Sequence, residues 1–249
     1  MSTDSAGQPW AGRELKPNPF SGDTGLGDEQ LLAALAQVHA SPLEADRHRQ
    51  VIATLPGVRL YAPIVPIALD HEVGEHGHMV DNSSELGMVR LQAEDGRECT
   101  PGFSSIPPLT QWHEAARPVP VEAERLILGA IEANSQLVVL DPGAPHPFLL
   151  RRPAMFAFVQ GKEWTPSWAD AEVGRRLAEL GQSFPWLASV SVSPGSANVH
   201  LGGPELGITL VVEDKVPAAE VQRFQQAVVG DEELVQKIDS LAIRLQLRE

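Results

Sequence analysis

The sequence has few of the residues that build covalent or cationic sites. It contains one cysteine, Cys99, in 249 residues, so no disulfide can form within the chain and a reducing compartment is expected. Lys and Arg together number 19, against 33 Asp and Glu, which gives a net charge of −14. Because a surface of that sign repels phosphate groups, we expect neither nucleic acid nor an anionic membrane as a partner.

Long apolar runs are also missing. No stretch approaches the roughly 18 continuous apolar residues that a membrane-spanning helix needs. The N-terminal residues have neither the basic start nor the apolar centre of a secretory signal, so a cytoplasmic location is expected. The hydrophobic content of 43% is that of an ordinary folded protein.

Helical and strand patterns are mixed along the chain. Asp28 is placed to cap a helix with apolar residues at helical spacing, and "QLVVL", "LGITLVVE" and "LAIRLQL" are typical of strands. A change of composition at 160–167 suggests a boundary. We therefore predict an extended arm (1–27) and two units (28–160 and 165–249). The fold class is α+β: two small mixed α/β units, each a mostly antiparallel or mixed sheet with helices packed against it.

Two local features of the strands carry specific predictions. "VRLYAPIVPIAL" is rich in β-branched residues, but Pro63 and Pro66 favour an edge strand or a broken one. Asp95-Gly96 is a hairpin turn, which places Met88–Leu91 on one arm and Cys99 on the returning arm.

The segment "DGRECTPGFSSIPPLTQWHEAARPVP" brings together the side chains that nucleophilic catalysis uses. It holds Cys99, Ser104, Ser105 and His113. However, it lacks the G-x-S-x-G elbow, the C-x-x-C motif and any context that would lower the pKa of the thiol. No phosphate-binding loop of the G-x-G-x-x-G type opens a helix elsewhere. We assign no catalytic residue and no cofactor, and we expect the two serines to cap the following helix or turn.

A histidine-rich loop, "DHEVGEHGHMVD", is the one candidate metal site. His71, His76 and His78, with nearby glutamates, could hold Zn²⁺ or Ni²⁺. The H-E-x-x-H spacing is not present, and Gly74 and Gly77 oppose a helix that would organise the ligands. Weak, adventitious binding by a solvated loop is the alternative, and we assign no metal.

The order of several segments resembles the SseB (enhanced serine sensitivity) family. Pro63–Ile67 match its "lhvPv" strand and Asp95-Gly96-Arg97 its D-G-R turn. Phe103-Ser104-Ser105 stand where the family has F-T-S, Leu109 and Trp112 complete that segment, and Asp141-Pro142-Gly143 replace N-P-x-G. The arm and the C-terminal unit resemble longer, actinobacterial-type members with an SseB C-terminal domain. Ser104 and Asp141 depart from the usual threonine and asparagine. The resemblance implies a fold and brings no catalytic residues, cofactor or substrate.

Two functional hypotheses follow. The first is a non-enzymatic cytoplasmic protein-interaction or adaptor module, whose partner is another protein or a second copy of the chain. The second is a small-molecule binder or hydrolase-like enzyme with a pocket near Arg97, Ser104 and His113; convergence of those side chains on one pocket would favour it. The candidate surface comprises Arg97, Phe103, Ser104, Ser105, Trp112 and His113. The aromatic members could line a groove or fill the core.

Overall fold

The computed structural model describes residues 20–66 and 86–248. The predicted histidine site (His71, His76 and His78) and most of the arm lie outside these residues. None of the described helices is long and apolar enough to cross a membrane. The helices are α1 (Glu29–Ala40), α2 (Ala45–Thr54), α3 (Ile106–Trp112), α4 (Ala123–Glu132), α5 (Arg152–Val159), α6 (Ala171–Gly181), α7 (Ala218–Val229) and α8 (Glu232–Lys237), with a 3-10 turn at Ser167–Ala169.

The described strands form three sheets. The strands are β1 (Arg59–Pro66), β2 (Leu86–Met88), β3 (Leu91–Gln92), β4 (Glu98–Gly102), β5 (Arg117–Glu122), β6 (Leu137–Leu140), β7 (Phe148–Arg151), β8 (Leu187–Pro194), β9 (Leu206–Val212) and β10 (Leu241–Leu247). The first sheet has the order β2-β1-β5, the second β3-β4-β6-β7 and the third β10-β9-β8.

Parallel and antiparallel neighbours are mixed in two of the three sheets. β4 and β6 run parallel, as do β9 and β10, whereas β3–β4, β6–β7 and β8–β9 are antiparallel. All described pairs of the β2-β1-β5 sheet are antiparallel. This arrangement confirms the predicted α+β fold class. The boundaries at 28–160 and 165–249 stay a prediction.

Two large apolar clusters fill the protein. One packs α1, α2, α4 and α5 against β1, β6 and β7, with Leu35, Ile127 and Leu140 fully buried. The other packs the helices α6, α7 and α8 against β8, β9 and β10, around Phe224 and Leu210. Each amphipathic helix therefore buries its apolar side against a sheet, which is the main source of stability for such layers.

The prediction that β1 is an edge strand or a broken one is wrong, because β1 lies between β2 and β5. The Tyr61 N–H donates to Phe103 O (2.8 Å) and the Phe103 N–H donates to Tyr61 O (2.9 Å), on the side away from β5. Since backbone groups alternate along a strand, Pro63 also directs its nitrogen away from β5. Pairing with β2 starts only at Ile64, so Pro63 interrupts no ladder hydrogen bond.

The outer strand β5 carries prolines that protect the sheet edge. Pro118 and Pro120 lie opposite Pro63 and Tyr61 of β1. These are non-hydrogen-bonded pairs, so the nitrogens of both β5 prolines point toward the outer edge. An edge that lacks N–H donors pairs poorly with another strand.

The predicted hairpin is confirmed at its turn and corrected on its first arm. Ala93 N–H donates to Arg97 O (2.9 Å), Gly96 has a φ of 86°, and Leu91 is opposite Cys99. Met88, predicted on the same arm as Leu91, instead pairs with Ile64 of β1. The first arm is thus divided between two sheets.

The start of α1 provides a test of the local structure. The Asp28 carboxylate accepts hydrogen bonds from Gln30 N and Leu31 N, each at 2.9 Å. We expect Asp28→Ala to lower the free energy of unfolding by about 1 kcal/mol, because two N–H groups lose their acceptor. Urea unfolding measures this change. Asp28→Asn retains an acceptor oxygen and should lie within about 0.5 kcal/mol of the wild type; equal losses in the two variants would contradict the capping role.

Candidate functional site

Ser104 and Asp141 are bonded to each other. The Asp141 carboxylate accepts hydrogen bonds from Ser104 N (2.7 Å) and Ser104 Oγ (2.6 Å), and both residues are buried. Asp141 has a φ of 49°, a left-handed conformation that Asn and Asp tolerate better than most residues. These are the two positions at which the sequence departs from the F-T-S and N-P-x-G patterns. Serine and threonine both supply a hydroxyl donor at position 104, and aspartate and asparagine both supply an acceptor oxygen at position 141. The two departures therefore preserve this hydrogen bond.

This contact occupies the Ser104 hydroxyl. Burial raises the pKa of Asp141, while the hydrogen bonds from Ser104 oppose that rise. No histidine takes part in the bond, so Ser104 lacks the base that would activate it as a nucleophile. The pair joins the end of β4 to the turn after β6.

Phe103 and Leu109 belong to the core. Both are fully buried, in a cluster with Tyr61 and Ala116. The half-buried Trp112 packs on Phe103, with 5.4 Å between ring centroids. The aromatic residues were predicted either to line a groove or to fill the core. Phe103 fills the core, and Trp112 packs over Phe103.

Ser105 and His113 lie at the two ends of α3. Ser105 occupies the N-cap position, but its side chain makes no capping hydrogen bond. His113 follows the last residue of the helix, is exposed and lies 5.7 Å from the Trp112 ring. Neither serine side chain therefore caps the helix as predicted: Ser105 makes no capping hydrogen bond, and Ser104 bonds to Asp141 instead.

Cys99 lies on β4 as predicted. It is 3% exposed, and burial raises the pKa of its thiol to about 12. A thiol of that pKa has almost no thiolate at neutral pH, so Cys99 is a small apolar residue of the sheet.

Arg97 has a different role from the other candidates, because it reaches across 142 sequence positions to Asp239. Its Nη1 and Nη2 donate to the two Asp239 oxygens at 2.8 and 3.0 Å, and its Nε donates to Asp95 at 2.9 Å. A bidentate arginine–carboxylate contact is stronger and more geometrically specific than a single hydrogen bond between neutral groups.

A second arginine shares the Asp239 carboxylate. Arg151 Nη1 donates to Asp239 Oδ2 (3.0 Å), and its Nη2 donates to the carbonyl oxygens of Val199 (2.9 Å) and Gly203 (3.0 Å). The side chains of Arg151 and Asp239 are 4% and 1% exposed. We call Asp95, Arg97, Arg151 and Asp239 the arginine–aspartate network. It ties β7 and the β3–β4 turn to the segment that leads into β10.

Burial and charge act in opposite directions on Asp239. Burial pushes its pKa up, but the guanidinium groups of Arg97 and Arg151 outweigh that effect and hold the pKa below its ordinary value. The carboxylate is therefore ionised throughout the neutral range, as the two cations require.

Glu205 lies directly beside this network and is fully buried. Its carboxylate accepts from Asp239 N (2.8 Å) and Ser167 N (3.3 Å). Burial raises the pKa of Glu205 to about 7, despite the hydrogen bonds and the nearby Arg151 charge that favour its ionised form. Glu205 thus changes its charge in the neutral range.

A cleft of about 950 Å³ opens beside the network, between α5 and α8. Its charged lining consists of four cations and four acids: Arg97, Arg152, Lys162 and Lys237, and Asp95, Glu163, Asp170 and Asp239. Its apolar lining consists of Ile131, Met155, Phe156, Trp164, Val235 and Ile238.

The structure does not bring the predicted site residues together. Arg97 lines the cleft, whereas Ser104 and His113 do not. Ser104 is turned inward to Asp141, and His113 lies in solvent at the end of α3. A pocket built from Arg97, Ser104 and His113 therefore has no geometric support.

Sequence reasoning missed the residues that hold Arg97 in place. Asp239, Arg151 and Glu205 come from three separate segments, and none lies in a recognisable motif. The one available signal was their position: Arg151 directly follows the apolar run "FLL", and Glu205 directly precedes β9. A charged residue at the end of a buried strand needs a partner nearby.

Among residues 20–66 and 86–248, no group of three or more His, Cys, Asp or Glu side chains is arranged to hold a metal ion. The predicted loop site lies outside that range and stays untested.

The family model of the SseB protein N-terminal domain matches residues 29–157, about half of the chain. A search of curated proteins and one of solved structures found no match. The matched range contains Arg97, Ser104, Asp141 and Arg151 and ends before Asp239. The C-terminal domain type and the actinobacterial type stay predictions.

From the structure of the network we expect its two carboxylates, Asp239 and Asp95, to contribute very different amounts to the free energy of unfolding. Asp239→Ala should lower the free energy of unfolding by about 3–5 kcal/mol, because it leaves buried Arg151 without its counter-charge. Asp95→Ala, at a half-exposed position, should lower it by about 1 kcal/mol or less. Denaturant unfolding of both variants measures the difference. Similar losses in the two variants would show that Asp239 is not the central partner.

Glu205 predicts a pH dependence of stability. Its folded pKa, about 7, lies above the ordinary value of 4.5, so the unfolded chain binds fewer protons between those values. The contribution of protonated Glu205 to the stability of the folded state is complete below about pH 4.5 and is lost as the pH rises through 7. Relative to Glu205→Gln, which does not titrate, the wild type should lose on the order of 3 kcal/mol between pH 5 and 8. Parallel unfolding curves for the two proteins over this range would refute the prediction.

Proposed function

This chain belongs to the SseB family, and we propose that it is a non-enzymatic cytoplasmic adaptor that binds an acidic peptide segment of another protein in the cleft. The observation that carries the proposal is two cations, Arg152 and Lys162, that have no ion-pair partner among the described residues and lie beside exposed apolar side chains. The cations attract carboxylates, and the apolar side chains supply a contact for a hydrophobic residue of the same peptide.

The cations of the cleft differ from most others in the chain. Many described arginines are paired with carboxylates, as Arg175 is with Glu179 and Arg223 with Glu220. Arg152 and Lys162 are exposed and lie within 4 Å of no described carboxylate. Arg152 instead stacks over the Phe156 ring, 5.4 Å from its centroid. In a protein with a net charge of −14, such positions are the favourable places for an incoming acid.

Apolar surface lies beside these charges. Phe156 of α5 is 37% exposed and Val235 of α8 is 40% exposed, and both line the cleft. The half-buried Trp164 contributes a third large side chain. Aromatic anchors with arginine nearby are the usual composition of protein-binding hot spots.

The positions of the nucleophilic side chains support a binding role over a catalytic one. The Ser104 hydroxyl donates to Asp141, and the Cys99 thiol is buried with a raised pKa. Arg97, the one predicted site residue in the cleft, is held by two aspartates. These groups shape the cleft, which leaves recognition to Arg152, Lys162 and the apolar side chains.

Selection of random twelve-residue peptides displayed on phage, with the purified full chain as bait, tests the proposal. We expect the enriched peptides to carry Asp or Glu on either side of an aromatic or aliphatic residue. The affinity of the best synthetic peptide should fall at least tenfold for the double variant Arg152→Glu and Lys162→Glu, about 1.4 kcal/mol or more. The reason is that both attractive charges become repulsive.

Arg117→Glu and Lys215→Glu together form the matched control. Both residues are exposed cations without an ion pair among the described residues, and neither lines the cleft. This double variant changes the net charge equally and should retain the peptide affinity within about threefold, because screening weakens charges beyond roughly 8 Å. Enriched peptides without acidic residues, or equal losses in the two double variants, would overturn the proposal.

A further inference from the structure

β10 is an edge strand with no described neighbour on its outer side. It runs from Leu241 to Leu247 in parallel with β9, and the sheet ends there. β10 contains neither proline nor an acidic residue, and its one charge is Arg244. The edge strand β5, by contrast, has Pro118 and Pro120. Long edges without such protection are templates for a further strand.

Hydrogen bonds at the two ends of β10 determine which backbone groups face outward. Leu206 N–H donates to Ser240 O (2.9 Å), and Arg248 N–H donates to Val212 O (2.8 Å). Since the groups alternate, the even-numbered residues of β10 direct theirs toward β9. The N–H and C=O groups of residues 241, 243, 245 and 247 therefore point to the open edge.

The side chains of β10 leave half of its apolar row uncovered. Leu241 and Ile243 pack against the core beneath α7 and α8. Leu245 and Leu247 continue the same row, because alternate residues share a face, but they are 48% and 58% exposed. The outer half of the strand thus offers both unpaired backbone groups and apolar side chains.

We propose that a second copy of this chain pairs with β10 in an antiparallel manner about a two-fold axis at Leu245. In this register Leu245 faces Leu245 of the second copy, and Ile243 faces Leu247. The outward groups of these residues meet, which forms about six hydrogen bonds between the two copies. Both exposed leucines are covered, and the two three-stranded sheets become one of six strands.

Charge selects this register over the neighbouring ones. An axis at Arg244 would place two arginines directly opposite each other, and an axis at Gln246 would place Arg244 opposite Arg248. An axis at Ile243 would leave Leu247 without a partner in the opposite strand. With the axis at Leu245, Arg244 faces Gln246 and Arg248 faces Ala242. Arg248 is in addition paired with Glu213 at 3.0 Å.

A second copy fits the edge better than an unrelated strand does, because one seven-residue sequence supplies both complementary sides. About an axis at Leu245, the apolar residues 243, 245 and 247 face one another, and Leu241 lies outside this set and packs on the core. A closed two-fold contact of this kind uses the same surface on each copy and stops at two. Pairing of β10 with the opposite edge strand, β8, would instead continue into an open polymer.

Sedimentation velocity of the full chain tests the proposal. We expect a species of twice the chain mass of 26.9 kDa at micromolar concentration. Leu245→Lys and Leu245→Glu should each be monomeric, because like charges then face each other, whereas an equal mixture of the two should again form dimers. Val229→Lys, at an exposed apolar position on α7, should remain dimeric. A monomeric wild type, a larger polymer or a mixture that stays monomeric would overturn the proposal.

Cysteine cross-linking tests the register itself. The Cα atoms of a hydrogen-bonded antiparallel pair are about 5.5 Å apart, within the range that a disulfide spans. Leu245→Cys should therefore form a disulfide-linked dimer under mild oxidation. Leu247→Cys should not, because residue 247 of each copy lies about 14 Å from its counterpart. The wild type, whose one cysteine, Cys99, is buried, measures the cross-linking that occurs without an introduced cysteine. Equal cross-linking at both positions would contradict the axis at Leu245.

Discussion

The carboxylate of Asp239 is placed between two arginines, and several parts of the fold meet at this one group. Arg97 comes from the β3–β4 turn, Arg151 from the end of β7, and Asp239 itself from the segment between α8 and β10. The buried Arg151 and the partly buried Arg97 would repel each other without the shared anion. The network therefore constrains the turn, the strand end and the segment to a single arrangement, and the cleft takes its shape from that arrangement.

The same constraint explains the unusual state of Glu205. The Glu205 oxygens accept hydrogen bonds from the backbone N–H groups of Asp239 and Ser167. Glu205 therefore fixes the segment that places Asp239 next to the arginines. A buried acid so close to an ionised carboxylate is difficult to charge, which is consistent with a pKa of about 7. The Asp239 carboxylate of the network thus stays ionised in the neutral range, while the charge of the neighbouring Glu205 depends on pH.

The two surfaces with a proposed binding role, the cleft and the outer edge of β10, differ in the interactions on which binding would depend. In the proposal for the cleft, cations without an ion pair among the described residues act with exposed apolar side chains, whereas pairing at the edge of β10 would depend on backbone hydrogen bonds and leucine side chains. The surfaces are also on separate elements: the cleft lies between α5 and α8, and the open edge lies on the outer side of β10.

Local patterns in the sequence determined the elements, because a helix or a turn depends on residues close together in the chain. The Asp28 cap, the Asp95-Gly96 turn, the strand β10 and the α+β class could all be predicted in this way. The placement of β1 could not, since the effect of Pro63 depends on whether a neighbouring strand needs its missing N–H.

The contacts that define the site were decided only by the tertiary structure. The sequence marked Ser104 and Asp141 as separate departures from a pattern, and the fold shows that they are bonded partners 37 residues apart. Arg97 was a candidate without a known partner until the fold placed Asp239 against it, 142 residues away. Spacing along the chain carries no information on such pairs, because the packing of sheets and helices brings them together. The sequence by itself therefore determined which elements form, and the tertiary structure decided which charges meet.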